Sequence, residues 1–89
     1  MSDLSAIVLT EVGMERLRQD AKWGEQNHQP SVWLAILSEE VGELATAMLR
    51  DRFGTGAEET REAGDMRREA IQVAAVAVAF VEYLDRQLG

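Results

Sequence analysis

The chain has 89 residues, with sixteen acidic and nine basic side chains, a formal charge of -7 and no cysteine. That length makes one small domain, residues 1–89, able to bury only part of its own apolar surface, and the acidic balance repels phosphate backbones and anionic lipid. A nucleic-acid polymer and a membrane are therefore not expected partners, disulfides and thiolate zinc sites are excluded, and without a signal-like opening the expected location is cytoplasmic.

A first helix is expected from about Leu4 to Ala21, on a ragged apolar face of Ile7, Leu9, Val12, Leu17 and Ala21 broken by Gly13. The next stretch, "KWGEQNHQPS" at 22–31, holds Gly24, Asn27 and the single proline Pro30, and reads as an ordered loop rich in recognition side chains. Ser31 suits an N-cap for a second helix to about Arg52, whose apolar stripe is Trp33, Ile36, Leu37, Leu44, Ala47 and Met48. "FGTG" at 53–56 breaks the pattern, and Thr55 with Glu58 fits a capping box opening a last helix to about Gln87, with Gly64 a weak point near its start.

Within that last helix, "AIQVAAVAVAFV" at 70–81 is too short for the roughly 20 residues of a membrane span. It is apolar almost all round, which calls for neighbours on every side. No strand pattern, repeat or low-complexity segment is present. The expected class is all-α: an antiparallel bundle of three main helices, completed by oligomerisation with a second copy of the chain.

The acids of "LSEEVGELATAML", residues 37–49, do not fit a simple amphipathic helix. At about 100° per residue, Glu40 falls between Ile36 and Leu44 inside the apolar stripe, with Glu43 on its margin and Glu39 just beyond. Paired inward carboxylates cannot both stay ionised unless cations neutralise them, and this face of the helix offers no lysine or arginine. Glu69 and Gln72 on the last helix have the same i, i+3 spacing as Glu40 and Glu43, so two facing helices can converge four oxygen-bearing side chains on one point. Such a hard oxygen site suits Mg²⁺, or Mn²⁺ in its place. An EExxE run taken alone is more often a solvated face. The stripe position of Glu40 and the second acid on the apolar helix argue for a site.

These residues carry a resemblance. "EEVGE" at 39–43, followed by Glu69 opening an apolar helix, resembles the EExxE and ExxD motifs of MazG-like nucleotide pyrophosphohydrolases, the all-α NTP pyrophosphatases. "RLRQDAKWGEQNH" at 16–28 and "REAIQVAAVAVAFVEYLD" at 68–85 are similar to the small phage-type and bacterial members, so the likeness spans most of the chain. It implies a homodimer or homotetramer that uses Mg²⁺ to hydrolyse a nucleoside triphosphate to the monophosphate and pyrophosphate. It also implies Glu40, Glu43 and Glu69 as metal ligands, and Glu39 as the residue that orients or deprotonates water. Gln72 departs from the pattern: the motif ends in Asp, and an amide brings an oxygen without a charge.

If the likeness holds, the loop grips what the metal does not. Lys22 is the expected phosphate partner, Trp23 a face for stacking a base, and Gln26 or Asn27 a hydrogen-bonding group for its edge. Trp23 serves equally well as a loop anchor packed on the helices. Trp33 reads as core and His28 as a loop hydrogen-bonding group, while Arg67 and Arg68 suit either phosphate or surface ion pairs. Two rival readings stand beside hydrolysis: a nucleotide-binding or regulatory module whose turnover the Gln72 change has weakened, and a structural bundle whose acids face solvent.

Overall fold

The computed structural model of the chain describes residues 2–53 and 62–89. They form three helices: α1 (Asp3–Trp23), α2 (Pro30–Phe53) and α3 (Glu62–Leu88). No strand occurs among the described residues, so the class is all-α. The expected Thr55–Glu58 capping box lies outside them. α3 passes through Gly64 without a break.

α1 opens on Ser2, whose Oγ accepts from the Ser5 N–H and whose carbonyl accepts from the Ala6 N–H, both at 3.0 Å. Asp3 in the first turn adds a negative charge where the helix dipole favours one. The helix ends at Gly24, whose φ of 73° suits a residue without a Cβ and whose N–H closes back on the Asp20 carbonyl at 2.8 Å.

α2 starts two residues earlier than a Ser31 cap would allow. The Gln29 carbonyl accepts from the Val32 and Trp33 N–H groups at 2.9 and 3.1 Å, and Pro30 takes the first helical position. A proline there gives up no intrahelical bond and brings a preset φ. Ser31 therefore sits inside the first turn.

The two earlier helices both lie on α3 and not on each other. α2 supplies most of the core: Trp33, 3% exposed, packs with Val76 and Ala79 of α3, and Ile36, Leu37, Phe80 and Tyr83 close around them. Trp33 meets Phe80 and Tyr83 at ring-centroid distances of 5.8 and 6.0 Å and forms a T-shaped contact with His28 at 5.1 Å. Truncating such a ring to alanine costs about 3–5 kcal/mol. Further along the same face Ala47 is buried, whereas Met48 is half exposed.

α1 departs most from expectation. Ile7, Leu9, Leu17 and Ala21 are exposed, and every residue from 2 to 10 lies open to solvent. The face that meets α3 is instead the heptad pair Val12 and Gln19, both buried. Polar pairs then fix the contact. Arg16 donates to Glu82 Oε1 through Nε (3.2 Å) and Nη2 (2.5 Å), and to Gln19 Oε1 through Nη1 (3.0 Å). Arg67 forks onto both oxygens of Glu11 at 2.7 and 2.6 Å.

Arg86 of α3 holds the 24–29 loop, donating to the Gln26 carbonyl at 2.9 Å and to Asn27 Oδ1 at 3.1 Å. The apolar stretch of α3 is covered on two sides: Ala75, Val76 and Ala79 are buried, while Ala77, Val78 and Val81 remain exposed.

Candidate metal centre

The 3.6-residue period turns Glu40 and Glu43 of α2 toward α3, and Glu69 meets them from the first turns of that helix. One carboxylate oxygen from each lies within 4.8 Å of the others. Glu40 and Glu69 are half-buried and Glu43 is exposed. Gln72 sits between the two helices. With its NH₂ turned inward, Nε2 lies 3.3 Å from Glu40 Oε2 and 3.1 Å from Glu69 Oε2; turned the other way, its carbonyl oxygen faces the same point.

Among the described residues, Arg18, Arg67 and Arg68 do not neutralise this cluster through salt bridges. Arg67 is bound to Glu11, Arg68 to Asp65 and Arg18 to Glu15. Arg67 and Arg68 thus take up the ion-pair role, one of the two the sequence allowed. Partial burial pushes the Glu40 carboxyl above the ordinary glutamate value, and the charges of Glu43, Glu69 and Glu39 push it further. Glu69 is raised by the same combination of burial and the charge of Glu43, only partly offset by Arg68. Carboxylates held in this way favour a proton or a cation over open ionisation. The donor set fits a hard divalent ion: three carboxylates and an amide that can present oxygen.

Glu40, Glu39 and Gln72 also form part of the wall of a cavity of about 580 Å³. Trp33, Val76 and Ala79 give it an apolar side, and the end of α1 contributes Gln19, Lys22 and Trp23. Trp33 and Glu40 lie two turns apart on α2, about 10 Å along its axis. Lys22, Trp23 and Gln26 all line this space, with the Lys22 Nζ 4.6 Å from the centroid of the exposed Trp23 ring. Asn27 instead hydrogen-bonds Glu25 and Arg86. His28 is a hydrogen-bonding group, its Nε2 lying 2.8 Å from Gln26 Oε1.

The sequence reading missed Glu15, Arg18 and Gln19, which form the α1 wall of the cavity. Their signal was the i, i+7 repeat of Val12 and Gln19, obscured by larger apolar side chains elsewhere on α1. Burial of Gln19 depends on Arg16 satisfying its amide oxygen, a pairing that spacing alone does not reveal. No helix of the described residues is long and apolar enough to cross a membrane. No protein-family model, curated protein or solved structure matches the chain.

Proposed function

We propose that the protein is a Mg²⁺-dependent nucleoside triphosphate pyrophosphohydrolase of the MazG-like kind, acting on an NTP or dNTP as a homodimer or homotetramer. The observation that carries this reading is the convergence of Glu40, Glu43 and Glu69 beside a cavity with aromatic and cationic walls. Glu40, Glu43, Glu69 and the Gln72 carbonyl oxygen would hold the ion. When bound, Mg²⁺, or Mn²⁺, screens the triphosphate charge and acidifies water.

Glu39, next to the ligands on α2 and in the cavity wall, takes the proton as water attacks the α-phosphorus. The bond that breaks is the α–β phosphoanhydride; its electron pair leaves with pyrophosphate, and the water oxygen stays on the monophosphate. Lys22 balances the distal phosphates, Trp23 offers its face to the base and Gln26 addresses its edge.

The bundle is read as antiparallel between α2 and α3: Trp33 meets Phe80 and Tyr83, whereas Glu40, further along α2, meets the earlier residues Gln72 and Glu69. A second copy would cover Leu4, Ile7, Leu17 and Val81, large apolar side chains left exposed on α1 and α3. Light scattering in solution should give a dimer or tetramer mass; a monomer at all concentrations counts against this assembly.

The test of the reaction is pyrophosphate release across a panel of NTPs and dNTPs with Mg²⁺ and with Mn²⁺. Release should stop with chelator and fall by about a hundredfold or more in Glu39→Gln and in Glu40→Ala. An inert protein across the full panel defeats the proposal. Gln72 supports a second reading, a nucleotide-binding or regulatory module. Gln72→Asp separates the two: activity appearing only in the variant favours the module, and turnover by the parent chain excludes it.

A further inference from the structure

Trp33 is the most buried aromatic side chain of the core, and its Nε1–H has no hydrogen-bond partner. It is the one buried side-chain nitrogen or oxygen among the described residues in that position. A buried indole N–H normally finds an acceptor, and leaving it bare costs more than the bond itself would return. The usual remedies are absent here. Gln26 Oε1 is engaged by His28, Gln19 Oε1 by Arg16, and both Glu15 oxygens by Arg18. Yet Trp33 walls the 580 Å³ cavity that reaches Glu40 and Gln72.

We infer that Trp33 is a further base-recognition residue of this cavity, beside Trp23 and Gln26, its Nε1–H donating to a ring nitrogen or carbonyl oxygen of a nucleobase while Ile36, Val76 and Ala79 line the apolar side. The inference rests on the pyrophosphohydrolase reading for the identity of the ligand, and it deepens that reading. An unpaired donor selects for a lone pair: a ring edge presenting N–H or NH₂ at that point leaves two donors facing each other and is rejected. Because the indole lies about 10 Å along α2 from the acid cluster, a ligand whose phosphates lie at the acids reaches it through the length of a nucleoside. Trp33 thus acts twice, as the centre of the core and as the polar contact at the far end of the site.

Trp33→Phe keeps an aromatic ring and deletes the donor. The experiment is titration calorimetry with Mg²⁺, using the α,β-methylene analogues of the four common NTPs and inorganic tripolyphosphate, on the parent and on Trp33→Phe. The parent should bind at least one nucleotide analogue more tightly than tripolyphosphate. The variant should lose about fivefold to tenfold for that analogue and lose nothing for tripolyphosphate; without ligand the smaller ring leaves a gap in the core, so a modest drop in melting temperature is expected and does not bear on the inference.

A second readout does not depend on the variant folding. The parent's Trp33 indole N–H resonance should move downfield and exchange more slowly when the analogue is added, and not when tripolyphosphate is added. Unchanged nucleotide affinity in Trp33→Phe, or an indole resonance that ignores the nucleotide, overturns the inference while leaving the metal site standing. If neither analogues nor tripolyphosphate bind, the hydrolase reading falls. The free nucleosides then decide the inference alone: it survives only if one binds the parent and not the variant.

Discussion

Arg16 of α1 and Glu82 of α3 form a junction in which two guanidinium nitrogens share one carboxylate oxygen, at 3.2 and 2.5 Å. The two sides are unequal. The Arg16 side chain is 12% exposed and also serves Gln19 and Asp20, whereas that of Glu82 is 44% exposed and has Arg16 as its salt-bridge partner. Arg16→Ala should therefore destabilise the fold by about 2 kcal/mol, because it strands the buried Gln19 amide, while Glu82→Ala should cost about 0.5–1 kcal/mol. Denaturant unfolding of both variants checks this, and equal losses would show that Gln19 does not depend on Arg16.

Mutual repulsion in the acid cluster makes a second prediction. Without divalent ions, Glu40→Gln should raise the melting temperature by a few degrees, since it removes one of three crowded carboxylates. The same variant should lose the stabilisation that Mg²⁺ gives the parent by binding only the folded state. Gln72→Asp should move both quantities the other way, melting lower in chelator and responding more strongly to Mg²⁺. Melting curves that ignore Mg²⁺ in all three proteins would leave the cluster as a solvated face.

The pH dependence follows from the same groups. Folded Glu40 and Glu69 bind protons more tightly than their unfolded forms, whose ordinary value is 4.5. The folded state thus holds more protons just above that value, and this contribution to stability falls as pH rises through the raised folded values. Glu11 and Glu15 work in the opposite sense: hydrogen bonds from Arg67 and Arg18 hold them low, so their contribution is present above 4.5 and is lost as pH falls below it. The parent and a Glu40→Gln, Glu69→Gln double variant should therefore be closest in stability below pH 4.5, the variant pulling ahead as pH rises above it. Denaturant titrations in chelator across that window would show it, and a constant gap would contradict it.

Gly24 gives a prediction independent of any ligand. Its φ of 73° penalises a side chain, although an added Cβ would meet nothing within 4 Å. Gly24→Ala should cost about 1 kcal/mol through backbone strain alone. A neutral effect would mean that the turn relaxes to another conformation.

Sequence periodicity made much of α2 and α3 legible. Glu40 between Ile36 and Leu44 had to face the same neighbour as Trp33, and the i, i+3 spacing of Glu69 and Gln72 supplied the matching face. α1 was harder to read because size misled: Ile7, Leu9 and Leu17 outweigh Val12 and Gln19 in any hydrophobic count, yet the latter pair is buried. Which face of a helix is covered depends on partners, and three helices leave α1 with one. Ser31 was misplaced for a local reason, since Pro30 can occupy the first helical turn as readily as precede it. The bare indole of Trp33 was not legible at all, because a missing partner is a property of three-dimensional surroundings.

The arrangement around α3 has a consequence for how the protein is made. α1 and α2 leave the ribosome before α3, the surface on which both come to rest, and neither packs on the other. Until α3 emerges, the seam of Trp33, Ile36 and Leu37 has no native cover and an isolated helix is only marginally stable in water. This domain must therefore fold after most of it has been translated, and the nascent chain is most exposed to chaperones and to aggregation while its last helix is still in the exit tunnel.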